Sequence, residues 1–126
     1  MKQKELFISI KSKKDIENIF NKSIAIKSKY LMAKVIITKK ENLLPLEILW
    51  AIPKKIKKAV ERNHLKRILR AGFFEVFKNA RQVFNLKNTS AKMAVLPKPE
   101  FAVISYEKRQ EDITLLLNNI LKILNN

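Results

Sequence analysis

Residues 57–70, KKAVERNHLKRILR, place six lysines and arginines and the chain's only histidine within fourteen positions. At about 100° per residue, Arg62, Asn63, Lys66, Arg67 and Arg70 share one arc of a helix, while Leu65, Ile68, Leu69, Gly72 and Val76 take the other side. Only Glu61 offsets the charge locally. Such a helix constrains the fold: its apolar side requires a sheet or second helix to cover it, and its cationic side must stay outside. An ordinary exposed face mixes signs into i,i+4 pairs, and this one does not. Just upstream, PKKIKK adds Lys54, Lys55, Lys57 and Lys58 near the helix N-terminus, where the macrodipole favours anions over cations. A bound phosphate backbone resolves both conflicts, because it neutralises the arc and can accept from helix N-terminal amides. Arginine adds a planar donor fork and Asn63 both donates and accepts, so the helix is suited to position a nucleic acid as well as attract it.

The whole-chain charge agrees. Twenty-seven Lys and Arg against 11 Asp and Glu give a formal charge of +16 in 126 residues. That excess opposes folding and points to a polyanionic partner, nucleic acid first and an anionic membrane surface second. Apolar residues make up 47% of the chain, enough for one core, and no linker or repeat divides it, so residues 1–126 read as a single domain. Without cysteine there is no disulfide framework, thiolate metal site or cysteine nucleophile. MKQKELFISIKSKKD has charge at both ends and no small-residue cleavage site, so it does not read as a signal peptide, and a cytoplasmic location is expected.

Along the chain, SKKDIENIFNK opens with Ser12 as a helix start and sets Ile16, Ile19 and Phe20 on one face. SIAIKSKYLMAKVIITKK is β-branched and aromatic and reads as two strands or one bent strand. LEILWAIP is a third, apolar strand, and Trp50 in it reads as core. The basic helix then runs from about Lys58 into the high 70s, with Phe73, Phe74 and Phe77 expected to pack against the sheet or a closing helix. RQVFNLKNTSAK reads as a partly ordered connection, MAVLP as a fourth strand and KPEF as a rigid turn. From Ser105, a candidate cap, a closing helix carries the stripe Ile113, Leu116, Leu117, Ile120, Leu121 and Leu124. The expectation is an α+β (α/β) sandwich in the order α-β-β-β-α-β-α with a sheet of about four strands.

Hydrolytic chemistry by side chains is not expected. Asp15 and Glu17 lie at a helix start, and the adjacent Glu111 and Asp112 splay apart on a helix as surface groups. His64 has no cysteine or carboxylate pattern that would make it a metal ligand. With Gly72 the only glycine, no phosphate-binding glycine loop is possible, and Gly72 itself reads as a packing contact.

IPKKIKKAVERNHLKRILR resembles the signature of the bacterial ribonuclease P protein subunit. In that family a strand ends in paired lysines, and an Ala-Val opens a helix with an Arg-Asn-Arg core, then Lys-Arg and a further Arg. The matching residues are Lys54, Lys55, Ala59, Val60, Arg62, Asn63, Lys66, Arg67 and Arg70. Phe20 late in the first helix and MAVLPKPEFAVISYEKRQEDI extend the likeness over nearly the whole chain. Departures are His64 for the second arginine, Lys57 and Leu49 for glycines, and Ile16 for a frequent phenylalanine. The resemblance implies a left-handed β-α-β crossover carrying the basic helix, against the usual hand. It also implies two RNA contacts. Lys54, Lys55, Lys58, Arg62, Asn63, His64, Lys66, Arg67 and Arg70 would meet the catalytic RNA, and a cleft with Phe20 and Tyr30 would take the single-stranded 5′ leader of precursor tRNA. The implied activity is removal of that leader, with the chemistry on the RNA subunit and its Mg2+ and no catalytic residue or bound metal in the protein. No membrane or protein partner is implied. The alternative is a general RNA-binding module, ribosomal or chaperone-like, on a related fold.

Overall fold

The structure is a computed structural model that describes residues 8–9, 13–39, 46–86 and 89–124. Helix α1 (Lys13–Lys22) is followed by strands β2 (Ile24–Lys27), β3 (Leu31–Lys39) and β4 (Leu46–Trp50). Helix α2 (Ala59–Leu86), strand β5 (Thr89–Pro97), a 3-10 turn at Pro99–Ala102 and helix α3 (Tyr106–Leu124) complete the chain. The expected order is present, with a two-residue strand β1 (Ile8–Ser9) ahead of it. The sheet order is β1-β4-β5-β3-β2, so the four-stranded sheet gains a short parallel edge beside β4. Ser12, the expected cap of α1, lies outside the described residues.

Two boundaries differ from the sequence reading. Helix α2 continues to Leu86, and β5 begins at Thr89 rather than Met93. Of the stretch that reads as a connection, residues 81–86 therefore belong to α2 and residues 89–92 to β5. Its strand half pairs with β3 from Ile36↔Lys92 to Lys39↔Thr89, and ladder hydrogen bonds override the turn preference of Ser90 and its neighbours. Strands β4 and β5 run parallel, joined through α2, with Leu46↔Ala91 to Trp50↔Val95 in register.

Alternation along the strands divides the side chains between two faces. Ala33, Val35, Ile48, Met93 and Val95 face α2 and α3 and are buried there with Leu65, Leu69, Phe73, Phe77, Ile113, Leu116, Leu117 and Ile120. Trp50 is partly buried against this core, its ring edge-on to Phe73 at 5.2 Å and 73°. Phe74 is not part of it: the ring is exposed and lies 5.8 Å from the Lys78 ammonium. Gly72 lets α2 and α3 approach closely, since a Cβ there would stand 2.5 Å from Ile113 Cδ1. The Tyr106 hydroxyl donates to Glu75 Oε2 at 3.0 Å across the same helix pair, and that bond raises the phenol's pKa above its ordinary value. Ser105 caps α3 as expected, accepting the Lys108 N–H on Oγ at 3.3 Å.

Asp112 corrects the reading of it as a surface group. It is 5% exposed, and its carboxylate fastens α3 to the β2–β3 turn. The Ser28 hydroxyl donates to Oδ2 at 2.7 Å, the Lys29 N–H to Oδ1 at 2.9 Å and the Tyr30 N–H to Oδ2 at 3.0 Å. A turn that bends away from its ladder leaves amides without strand partners, and Asp112 supplies their acceptors.

Candidate nucleic-acid interface

Helix α2 is 28 residues long, about 42 Å at 1.5 Å per residue, and its first turns carry the cationic arc. Leu65, Leu69, Phe73 and Phe77 are all buried, which fixes the rotation of the helix and turns the opposite side outward. Asn63, Lys66, Arg67 and Arg70 are exposed on that side, as are Lys54, Lys55, Lys57 and Lys58 on the approach to it. None of these side chains makes a hydrogen bond or ion pair with another described residue. Glu61 in the first turn is the local acid and complements the helix dipole.

Arg62 stands apart from its neighbours. It is half-buried, and its guanidinium donates to the main-chain carbonyls of Pro53 at 3.0 Å, Ile56 at 2.9 Å and Ile52 at 3.4 Å. His64 is exposed beside a shallow groove of about 500 Å³, walled by Ile56, Val60, Ala102 and Val103 with Glu61 at its rim. Val60 and Val103 are 80% and 83% exposed, so an apolar strip borders the cationic arc where α2 begins.

The two residues expected to share a leader cleft are on opposite sides of the sheet. Phe20 projects from α1 and is 41% exposed, with the Lys34 ammonium 5.1 Å from its ring centroid. Beneath α1 the sheet offers an apolar floor of Ile36, Leu49 and Leu96 around Ile19 and Ala94, and Ile16 packs onto it. Leu49 fills space a glycine would leave open. Glu47 and Lys92 pair at 3.7 Å on the same face. Tyr30 instead lies at the β2–β3 turn, packed against the α2–α3 core, with Lys29 over its ring at 5.4 Å. The single position by which Tyr30 falls outside β3 sends it to the turn that Asp112 holds, so Tyr30 does not join Phe20. Lys34 was not singled out in the sequence, because its nearness to Phe20 depends on how α1 crosses β3 and β5.

No group of three or more His, Asp or Glu that could hold a metal ion occurs among the described residues. No described helix is long and apolar enough to cross a membrane.

A short helix on one face of the sheet, two long ones on the other and an exposed cationic arc where the parallel strands cross over define a small basic α+β sandwich. The model of the family described as Ribonuclease P matches residues 6–121, and the chain belongs to the ribonuclease P protein family. The structure is similar to that of the RNase P protein of Staphylococcus aureus, with TM-score 0.63 and 21% identity over 92% of this chain and 96% of that one. It is similar also to the RNase P protein of Thermotoga maritima bound to 1-(4-fluorophenyl)-2-thiourea, with TM-score 0.57 and 22% identity over 81% of this chain and 91% of the other. A search of curated proteins found no match.

Proposed function

We propose that this chain is the protein subunit of ribonuclease P, binding the catalytic RNA and the 5′ leader of precursor tRNA and assisting endonucleolytic removal of that leader. The observation that carries this reading is the outward set of Asn63, Lys66, Arg67 and Arg70 with Lys54, Lys55 and Lys58, unpaired with any described residue and mounted on a helix whose other face is locked into the core. Membership of the family supports it. Cations carried on a rigid rod meet phosphates without the backbone beneath them having to be ordered first, and they lower the repulsion between catalytic RNA and substrate. The protein's part is electrostatics and positioning, while bond cleavage and its Mg2+ belong to the RNA. For the leader, Phe20 offers an exposed ring face with a lysine beside it over an apolar floor, the combination that takes unstacked bases. Tyr30 is left out of that cleft. Such a subunit works in the cytoplasm, where precursor tRNA is processed.

The test is cleavage of precursor tRNA by a bacterial ribonuclease P RNA at low magnesium, with and without this chain. Restored cleavage is expected, and Arg67→Ala should lower the slope of log affinity against log salt by about one. Binding without rescue of cleavage would instead indicate a general RNA-binding module.

A further inference from the structure

By helical position Arg62 belongs with Asn63, Lys66, Arg67 and Arg70, yet its guanidinium is turned back onto the main chain. Nη1 commits both its hydrogens, to the carbonyls of Pro53 and Ile56, and Nη2 reaches the carbonyl of Ile52. The Pro53 oxygen also accepts the Ile56 N–H at 3.1 Å, so the turn that presents Lys54 and Lys55 is closed by its own bond and then tied to the first turn of α2. Three carbonyls along five residues are met by the two terminal nitrogens of one planar fork, where a lysine would bring a single nitrogen without that fixed geometry.

We infer that Arg62 is a positioning residue: it fixes Lys54 and Lys55 relative to Lys66, Arg67 and Arg70, and it is not itself a phosphate contact. The inference rests on the reading of this arc as the RNA-binding surface. A loop already tied to the helix loses little freedom when RNA arrives, so both halves of the cationic surface engage together. Without Arg62 the paired lysines keep their charge and lose their place.

Two measurements on the full chain test this. The first needs no RNA: hydrogen exchange of the Ile56 amide should accelerate by about tenfold in Arg62→Ala and also in Arg62→Lys, while core amides such as Val95 are unchanged. The second is affinity for a bacterial ribonuclease P RNA in a cycle of Arg62→Ala against Lys54→Ala/Lys55→Ala. Losing Arg62 should weaken binding about tenfold when the lysines are present and less than about twofold when they are absent. Arg62→Lys should not restore affinity. Additive losses, or recovery of affinity by Arg62→Lys, would mean a direct charge contact and overturn the inference. Should Arg62→Ala fail to fold, Arg62→Lys carries both measurements, and unchanged Ile56 exchange in it is equally fatal. A wild-type chain that does not bind the RNA would sink the proposed function, while the exchange result would still decide whether Arg62 holds the turn.

Discussion

The two faces of the sheet are packed very differently. Against α2 and α3, the rings of Phe73, Phe77 and Phe101 are fully buried among aliphatic side chains from four strands. Against α1, full burial extends to Ile19 and Ala94, while Ile16, Ile36, Leu49 and Leu96 are only partly covered and Phe20 is 41% exposed. A helix of ten residues is about 15 Å long and cannot roof a sheet of this width. The lesson is a division of labour within one sheet: one side holds the fold together, and the other is free to offer an apolar, cation-flanked surface.

The sharpest way to break that comparison is to hollow out the packed side. Phe73→Ala should cost about 3–5 kcal/mol in a urea titration, because the ring is fully buried, touches Trp50 and leaves a cavity that the two helices cannot close. A loss no greater than that of an exposed residue would mean that the core does not lie where the two helices meet. Asp112→Ala comes next, at about 2–3 kcal/mol, since it strands the Ser28 hydroxyl and the Lys29 and Tyr30 amides. Faster exchange confined to those two amides would locate the effect at the turn, and none would dismiss the clamp. Smallest in stability is Phe20→Ala, under about 1 kcal/mol. It should nevertheless weaken binding of precursor tRNA to the assembled ribonucleoprotein by about fivefold or more, with mature tRNA little affected. Equal loss for both substrates, or a stability cost near that of Phe73, would make Phe20 a structural residue and remove the contrast between the faces.

Arginine chemistry shows a second contrast on a smaller scale. Arg67 and Arg70 are exposed and unpaired with described residues, whereas Arg62, one turn earlier, is bonded to three carbonyls. Arg109 also turns back to the main chain at the start of α3, donating through one nitrogen to the Ile104 carbonyl at 2.9 Å. Position on a helical wheel is common to all of the arc, but which way a long side chain bends depends on what acceptors the neighbouring loop presents. The exit from β4 presents three.

Much of the architecture was legible in the residues themselves. The stripes of α2 and α3, the Ser105 cap, the close approach at Gly72 and the order of the elements follow from spacing of 3.6 or 2 and from local hydrogen-bonding chemistry, which act over a few neighbours and are written along the chain. The outward exposure of Asn63, Lys66, Arg67 and Arg70 follows too, because burying Leu65 and Leu69 leaves the opposite arc nowhere else to go. Tertiary structure alone decided the early start of β5, the separation of Tyr30 from Phe20, the meeting of Lys34 with the Phe20 ring, the burial of Asp112 and the turning back of Arg62. Each depends on a partner distant in sequence or on an acceptor displayed by a loop, and a register shift of one residue or a different crossing of α1 would change it without altering any local pattern.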